Sequence, residues 1–362
     1  MNIAAIKTYR TFLPFRQAWE VGARRTPGKE HIVVAVSSGD GATGYGTMSP
    51  LPSFSSETGA GAEAVINQLL APALVGHDPF DLEGIHLIMD EVISGNHLAK
   101  SAVDMALFDL QGQVLNRPVS ALLGGGLRAE IALCWAIAVS DNESVVAEAR
   151  AKVEEGYTAL KLKVGRDAAD SLHRLKLVRE AVGPKAALRL DINQHYTADE
   201  SIRLINKAAE MHLDLEYVEQ PVPKWDLDGL AKVNRAVETP IMVDEGVFSI
   251  HDVVEIIKRD AASIVNLKVG KFGGLYKARK AAAICEAAGL RCMIGCMLES
   301  GLAMLAGAHL AKALQPIDLA CELIGNQLYD SDFIDMEPFY TSGRLKVPEG
   351  PGLGYPAPPQ CF

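Results

Sequence analysis

The sequence predicts an α/β fold in which a barrel of eight parallel strands follows a small α+β domain. From residue 131 onward, short apolar segments alternate with segments of helical length, with a period of about 25 residues. Such alternation gives parallel strands joined by right-handed crossovers, and eight units are the number that closes a barrel. The alternative is an open doubly wound sheet, but no GxGxxG sequence opens the first unit as that fold would favour.

The N-terminal part has a different pattern, which predicts the α+β domain. Strand-like apolar patterning occurs at residues 3–10, 31–37 and 41–46. Gly39-Asp40-Gly41 is a plausible turn between the last two. Apolar residues recur at helical spacing from Leu98 to Leu115, which predicts a long helix. The stretch Leu123-Gly124-Gly125-Gly126 then breaks the pattern and predicts a domain boundary.

The barrel strands and the domain limits follow from this pattern. The eight strands are predicted at residues 131–139, 159–164, 187–192, 215–220, 241–246, 263–269, 292–297 and 317–322. We expect a capping domain at 1–126, a catalytic barrel at 127–328, and a tail at 329–362 that returns to the capping domain. The tail lacks the strand–helix rhythm and is rich in Gly and Pro.

Composition excludes several classes of function. The 362 residues are 49% hydrophobic and carry a net charge of −10, with no basic run that would suggest nucleic-acid binding. No apolar run reaches the roughly 18–20 residues of a membrane span, and the N-terminus does not resemble a secretory signal. The six cysteines form no CxxC pair, which is typical of a reducing compartment. We therefore expect a cytoplasmic enzyme that binds neither nucleic acid nor membrane.

Three carboxylates stand at the ends of three successive predicted strands, where barrel enzymes place functional groups. Asp191, Glu219 and Asp244 lie 28 and 25 residues apart, one in each strand–helix unit. Side chains on neighbouring strands, about 4.8 Å apart, would repel strongly without a cation between them. An all-oxygen ligand set is typical of magnesium. The alternative is that the three acids form salt bridges with neighbouring helices.

Three lysines occupy corresponding strand ends. Lys161 and Lys163 are two residues apart and share one face of the second strand, and Lys268 ends the sixth. The second and sixth strands are opposite each other in an eight-stranded ring, so Lys163 and Lys268 would approach a bound substrate from opposite sides. Because a nearby cation lowers the pKa of a lysine, we expect lowered values suited to base catalysis, with Lys161 giving electrostatic support.

Four further polar residues lie near the same strand ends: Asn193, Glu245, Glu299 and Glu322. We expect Asn193 to support a metal ligand and Glu245 to orient Lys268. The alternative is that both residues are polar only because they lie at the ends of strands. Glu299 and Glu322 are expected to contact the substrate or to stabilise a lysine.

In these residues the chain resembles the enolase superfamily, specifically its muconate lactonizing enzyme subgroup. The matching stretches are Lys161-Leu162-Lys163, Asp191-Ile192-Asn193, Glu219-Gln220-Pro221, Asp244-Glu245, Lys268 followed by Gly273-Gly274, Met297-Leu298-Glu299-Ser300 and Pro351-Gly352-Leu353-Gly354. The resemblance covers nearly the whole chain and implies a modified TIM barrel, (β/α)7β, with an α+β capping domain. It also implies that Lys163 and Lys268 are the acid/base pair, that the three carboxylates hold Mg²⁺ or Mn²⁺, and that the protein forms a homo-oligomer.

The resemblance implies an isomerase that abstracts the proton alpha to the carboxylate of a small substrate, through an enediolate. Racemisation or epimerisation, for example of an N-substituted amino acid, and cycloisomerisation are equally compatible with the motifs. The alternatives are a lyase similar to o-succinylbenzoate synthase, a Schiff-base aldolase that uses Lys163 or Lys268, and a non-catalytic binding protein.

Two stretches depart from the family pattern. Dipeptide epimerases usually carry Asp-x-Asp at the end of the eighth strand, where this chain has Glu322-Leu323-Ile324, closer to cycloisomerases. Capping domains often read Gly-x-Gly-Glu where this chain has Gly44-Tyr45-Gly46-Thr47, which points to a different substrate. The segment from about Glu20 to Lys29 is expected to be a loop over the substrate. Its Arg24, Arg25 and Lys29 would contact a second anionic group of the substrate or face solvent.

Overall fold

The computed structural model describes residues 1–21, 24–138 and 140–355, and it describes no side chains between residues 17 and 25. The strands are β1 (Ile3–Val21), β2 (Arg24–Ser38), β3 (Thr43–Met48), β4 (Glu130–Ala132), β5 (Cys134–Ile137), β6 (Ala159–Lys163), β7 (Ala187–Asp191), β8 (Leu215–Glu219), β9 (Ile241–Val243), β10 (Ile264–Asn266), β11 (Arg291–Met293), β12 (Tyr340–Thr341) and β13 (Arg344–Lys346). The α-helices are α1 (Pro52–Ser55), α2 (Gly59–Val65), α3 (Ala71–Leu74), α4 (Leu82–Val92), α5 (His97–Leu115), α6 (Val119–Leu123), α7 (Asn142–Glu154), α8 (Ala168–Val182), α9 (Ala198–Glu210), α10 (Leu227–Ala236), α11 (Ile250–Arg259), α12 (Leu275–Ala287) and α13 (Gly301–Ala313). A π-helical turn covers Ile66–Leu70, and 3₁₀ turns cover Gly325–Leu328 and Glu337–Phe339.

The N-terminal strands form an antiparallel sheet in the order β1-β2-β3. The prediction of a loop from about Glu20 to Lys29 is wrong for the described residues, because the backbones of β1 and β2 stay paired, with Leu13 opposite Lys29 and Trp19 opposite Thr26. Residues 22–23 of that segment lie outside the described part of the chain. The alternation of apolar residues covers only part of the paired strands, so the strands predicted from it, at 3–10 and 31–37, are shorter than β1 and β2.

The long helix predicted from Leu98 to Leu115 is confirmed as α5, and it packs against β2 and β3. Two glycines of β3 allow this close approach. A Cβ at Gly44 would lie 2.2 Å from the carbonyl oxygen of Ala106, and one at Gly46 would lie 2.1 Å from that of Ala102. Any larger residue at either position would push the helix away from the sheet.

The predicted barrel is confirmed, with seven parallel strands in the order β11-β10-β9-β8-β7-β6-β5 and a helix after each one. The predicted eighth strand, residues 317–322, is an extended segment that closes the ring through two isolated parallel bridges. One bridge joins Leu133 to Cys321, and the other joins Cys292 to Ile317. In the described residues no α-helix lies between this segment and the tail, and the 3₁₀ turn Gly325–Leu328 is the helical element there, so the fold is (β/α)7β.

The interior of the barrel is filled at the end away from the strand carboxyl ends. Arg189 on β7 is fully buried, donates to Glu216 and to the carbonyl of Ala320, and lies 4.8 Å from the ring centre of Tyr217. Because side chains alternate along a strand, Asp191 shares the interior face with Arg189 but lies nearer the open end. Arg189 therefore fills the barrel interior below Asp191, which lies at the carboxyl end of β7.

The tail contacts both parts of the molecule. Strand β13 pairs with β12 and with β4, which precedes the first barrel strand β5 in the chain. Farther along, Leu353 N and the hydroxyl of Tyr355 donate to the buried carboxylate of Asp109 on α5. The domain limits at 126 and 328 stay a prediction. No helix in the described part of the chain combines the length and the apolar character that crossing a bilayer requires.

Candidate active site

A cavity of about 840 Å³ lies at the carboxyl ends of the barrel strands. At its inner end lies the strand-end cluster, which we define as Lys161, Lys163, Asp191, Glu219, Asp244, Lys268, Lys271 and Glu322; Glu219 and Lys271 are fully buried behind the six that line the cavity. Its outer wall is the roof, which we define as residues 26–30 of the N-terminal hairpin and residues 50–59 between β3 and α2. The barrel and the N-terminal domain therefore both contribute to one site.

The three predicted carboxylates occupy neighbouring positions on three adjacent strands. Asp191 ends β7 directly beside Glu219, which ends β8. Glu219 in turn lies beside Met242 of β9, and Asp244 follows two residues later. All three are at most 2% exposed. Burial, followed by the charges of Asp191 and the other acids around it, raises the pKa of Glu219 to about 8 against the opposing effect of Lys161.

Lys161 and Lys163 both point into the cavity, as predicted from their spacing. Lys161 Nζ lies 2.9 Å from Glu219 Oε2, 3.4 Å from Asp191 Oδ2 and 2.7 Å from Glu322 Oε1. Lys163 is less buried, and its ammonium donates to Asp191 Oδ2 at 3.1 Å and to Asn193 Oδ1 at 3.0 Å. Lys161 is therefore enclosed by acids, while Lys163 faces the open cavity.

On the opposite side, two lysines hold Asp244. Lys268 Nζ donates to Asp244 Oδ2 at 2.7 Å, and Lys271 Nζ donates to Asp244 Oδ1 at 2.7 Å and to its backbone carbonyl. Sequence reasoning gave no role to Lys271, which is fully buried. It also missed Asn266, whose amide donates to Glu219 Oε1 at 2.8 Å. Asn266 and Lys268 are two residues apart, and that spacing was a usable signal for a shared face.

The expected lowering of the lysine pKa values is wrong for Lys161 and Lys268 as the cluster stands. Burial lowers both values, but the neighbouring carboxylates outweigh it and hold each pKa above the ordinary value. Lys271 has a lowered pKa, because burial outweighs the effect of Asp244. The expectation counted the nearby cations but not the ion pairs with the acids.

The donor chemistry of the cluster fits a hard divalent cation. Asp191, Glu219 and Asp244 supply only carboxylate oxygens, and a cation between them would relieve the repulsion that raises the pKa of Glu219. Among the described residues, no group of three acids, histidines or cysteines is already arranged as a metal site. Instead, ammonium groups contact the carboxylates and balance their charge.

The four supporting residues have defined contacts. The amide of Asn193 donates to Glu245 Oε1 at 3.1 Å. Lys268 donates to Asp244 rather than to Glu245. The expectation that Glu245 orients Lys268 is therefore not met by a direct contact. Glu322 stabilises Lys161, one of the two roles expected of it. Glu299 accepts from Met297 N and contributes charge near Lys29. The side chain of Arg24 lies outside the described residues.

The roof contributes Phe54, which the sequence did not assign to the site, and Lys29, for which it left contact with the substrate open. The ring of Phe54 lies 4.7 Å from Lys268 Nζ and 5.3 Å from the ring of Phe248. Lys29 is only 8% exposed, so the solvent-facing alternative is wrong for it, and its ammonium donates to the carbonyl of Met297 at 2.5 Å. The partners of these contacts are more than 190 residues apart in the chain, so no local pattern could reveal them.

The chain matches two family models. Residues 8–124 match the mandelate racemase/muconate lactonizing enzyme N-terminal domain, and residues 144–359 match the enolase C-terminal domain-like family. Among curated relatives, the N-succinyl-L-Arg/Lys racemase of Bacillus cereus is 34% identical, over 98% of this chain and 95% of that protein. The chloromuconate cycloisomerase of Cupriavidus pinatubonensis is 32% identical, over 94% and 92%.

Solved structures are similar over almost the whole chain. The substrate-liganded L-Ala-D/L-Glu epimerase of Bacillus subtilis superposes with a TM-score of 0.95 at 33% identity, covering 99% of each chain. The dipeptide epimerase of Enterococcus faecalis, in complex with Mg and the dipeptide L-Leu-L-Tyr, superposes with a TM-score of 0.93 at 32% identity, covering 98% of this chain and 99% of that one.

Proposed function

Because this chain belongs to the mandelate racemase/muconate lactonizing enzyme family of the enolase superfamily and is an isomerase of that type, we propose that it removes the proton alpha to a substrate carboxylate. One observation carries the proposal. Lys163 on β6 and Lys268 after β10, on opposite strands of the ring, each donate to an acid of the same buried cluster. A substrate carbon between them would have one ammonium or amine group on each face.

The acids of the cluster are the proposed ligands of the metal. Asp191, Glu219 and Asp244 would hold Mg²⁺, or Mn²⁺ in its place, and a solved relative contains Mg. When bound, the ion supplies positive charge beside the substrate carboxylate, which stabilises the negative charge of the enediolate. Binding of the ion would also replace the ammonium groups at these oxygens and lower the lysine pKa values toward those needed for a base.

Each lysine then has a defined task. The deprotonated amine of one lysine accepts the proton at Nζ, and the ammonium of the other returns a proton to the opposite face of the same carbon. Lys161, enclosed by Glu219 and Glu322, stays positively charged and stabilises the developing negative charge. Asn266 and Lys271 fix the orientation of Glu219 and Asp244 through the hydrogen bonds described above.

Proton transfer across two faces favours racemisation or epimerisation of a small carboxylate, such as an N-substituted amino acid. Cycloisomerisation is the second candidate. One observation favours it over a dipeptide substrate: Glu322 is bound by Lys161, and Ile324 in the cavity wall is apolar, so neither is available to bind a free ammonium group. Elimination by a lyase would begin with the same proton abstraction.

A proton NMR screen in deuterium oxide tests this proposal. The protein with Mg²⁺ would be incubated with acylamino acids, dipeptides, proline derivatives and lactones. We expect exchange of the alpha proton in at least one class and its loss on adding EDTA. Exchange followed by inversion identifies a racemase or epimerase, ring opening or closure a cycloisomerase, and loss of water a lyase. Turnover that survives EDTA, with borohydride trapping of the substrate on Lys163 or Lys268, would overturn the proposal in favour of a Schiff-base enzyme.

A further inference from the structure

The third proposed metal ligand is held differently from the other two. Asp191 and Glu219 are the last residues of β7 and β8, and the pairing of these strands includes both of them. Asp244 follows directly after β9, whose pairing with β8 ends at Met242 and whose pairing with β10 ends at Val243. The backbone of Asp244 therefore lies beyond the part of the chain that the sheet fixes.

The side chain of Gln220 supplies the missing support. Its Oε1 accepts from the backbone N–H of Asp244 and from that of Gly246, both at 3.0 Å. Its Nε2 donates to the carbonyl of Val222 at 2.9 Å, which fixes the end of the amide that faces Asp244. Gln220 is fully buried, and its oxygen has two lone pairs, so the two N–H groups use its whole capacity as an acceptor.

The backbone of Gln220 connects the same residue to the other ligand strands. Its N–H donates to the carbonyl of Met242 at 2.9 Å, and its carbonyl accepts from Gln194 N at 2.8 Å, in the turn that follows Asp191. Glu219 precedes Gln220 directly in the chain. One residue is thus bonded to the turns that follow β7, β8 and β9, and a proposed ligand lies at the end of each of these strands.

The backbone conformation of Gln220 is one that side chains disfavour. The angle φ is 37° at Gln220 and 70° at Gln194, in the left-handed region that glycine adopts most easily. Such conformations persist where the surroundings hold them, and they are concentrated at functional sites. Glycine at position 220 would relieve the strain but would remove the amide that holds Asp244. The position therefore combines strain with a contact that only a side chain provides.

We propose that Gln220 is a positioning residue for the metal, because its side-chain amide sets where the carboxylate of Asp244 lies relative to the other two acids. The inference rests on the proposed function, since it takes the three acids as the ligands. Lys268 and Lys271 also contact the carboxylate of Asp244, but an ion bound there would displace their ammonium groups. The amide of Gln220 bonds to backbone N–H groups, so it holds Asp244 with or without the ion.

Metal affinity tests the inference without turnover. Isothermal calorimetry would measure the Kd for Mg²⁺ in the unsubstituted protein and in Gln220→Met, which keeps the length of the side chain but has no carbonyl oxygen. We expect Gln220→Met to bind Mg²⁺ about 10-fold to 100-fold more weakly, as is typical when an outer partner of a metal ligand is removed. Gln220→Glu, which keeps an acceptor oxygen at the same position, should bind Mg²⁺ much more tightly than Gln220→Met.

A spectroscopic measurement separates positioning from general support of the fold. The electron paramagnetic resonance spectrum of bound Mn²⁺ reports the symmetry of its ligands. We expect the spectrum of Mn²⁺-loaded Gln220→Met to differ from that of the unsubstituted protein, and that of Gln220→Glu to resemble it. Gln111→Met is the matched control, because Gln111 is a buried glutamine on α5 whose amide donates to the carbonyl of Pro79. This control should leave both the Kd and the spectrum unchanged.

The outcomes separate this inference from the proposed function. A Kd and a spectrum that are unchanged in Gln220→Met, or that change equally in Gln111→Met, would overturn the positioning role and leave the metal site intact. If Gln220→Met does not fold, Gln220→Asn replaces it, since its amide is one methylene shorter and should give the same loss of affinity. An unsubstituted protein that binds no Mg²⁺ would contradict the proposed function and this inference with it.

Discussion

The inner and outer walls of the cavity differ in how they hold charge. In the strand-end cluster, each lysine lies within 3.4 Å of at least one carboxylate, and the charges largely balance one another. In the roof, Phe54 covers Lys268 and Lys29 contacts a neutral carbonyl. The balanced charges of the cluster support the proposal that it transfers protons beside a metal, whereas the roof has fewer charged contacts.

The largest expected effect is a loss of turnover when the proposed acid/base lysines of the strand-end cluster are substituted. Lys163→Met and Lys268→Met should each lower turnover by about 10²–10⁴, the usual contribution of a general acid or base. Because each lysine lies on one face of the substrate alpha carbon, each variant should slow alpha-proton exchange of one enantiomer more than that of the other. NMR exchange on the separate enantiomers measures this, with Lys224→Met, which removes an exposed lysine, as the control. Equal losses for both enantiomers in both variants would contradict the two-face arrangement.

The next effect concerns the acids. Glu219→Gln should weaken Mg²⁺ binding by about 100-fold or more, since even the outer partners of metal ligands contribute about 10-fold to 100-fold. Isothermal calorimetry measures the Kd, and Asp199→Asn, an exposed carboxylate on α9, is the matched control. Wild-type affinity in Glu219→Gln would remove Glu219 from the ligand set.

A smaller effect, on stability, is expected at the contact that joins α5 of the N-terminal domain to α12 of the barrel. Asp104 on α5 is fully buried and accepts from Leu275 N at the start of α12, just after the turn that carries Lys268 and Lys271. Asp104→Ala should lower the free energy of unfolding by about 1–3 kcal/mol, because it leaves a buried N–H without an acceptor. Urea unfolding measures this loss.

The variant Asp104→Asn, which keeps an acceptor oxygen at the same position, should lose less stability. Equal losses in Asp104→Ala and Asp104→Asn would mean that the negative charge, rather than the acceptor, holds the joint.

The smallest effect is a pH dependence at a contact away from the cavity. His309 on α13 accepts from Ser120 N, and burial lowers its pKa from 6.5 to about 4. A folded-state pKa below the unfolded value means that the unfolded chain binds the proton first, so stability falls as the pH drops below 6.5. The expected slope from this group is about 1.4 kcal/mol per pH unit down to about pH 4.

Urea unfolding between pH 4 and pH 8 checks this sign, and His309→Gln should make the curve shallower in that range. A curve unchanged in this variant would show that other groups account for the acid sensitivity.

The two walls also differ in how well the sequence predicts them. Asp191, Glu219 and Asp244 were predictable because each ends its own strand, and one repeated position brings all three together. The seven strands and the long helix α5 followed from apolar periodicity in the same way. These signals are local in the sequence, and the barrel brings the residues together because the carboxyl ends of its parallel strands meet at one end.

The rest depends on contacts that no local pattern encodes. Lys271 lies in a turn rather than at a strand end, so its ion pair with Asp244 was not foreseen. The length of the N-terminal hairpin depends on cross-strand pairing, and the burial of Lys29 depends on a partner 268 residues away. The closing segment at 317–322 forms only isolated bridges, although its sequence resembles a full strand.

The most direct test of the account is a crystal structure of the protein soaked with Mn²⁺, using anomalous scattering to locate the ion. We expect one strong peak bound by carboxylate oxygens of Asp191, Glu219 and Asp244, with the amines of Lys163 and Lys268 on opposite sides of the space beside it. A peak elsewhere, or those acids still paired with lysines at saturating Mn²⁺, would contradict it.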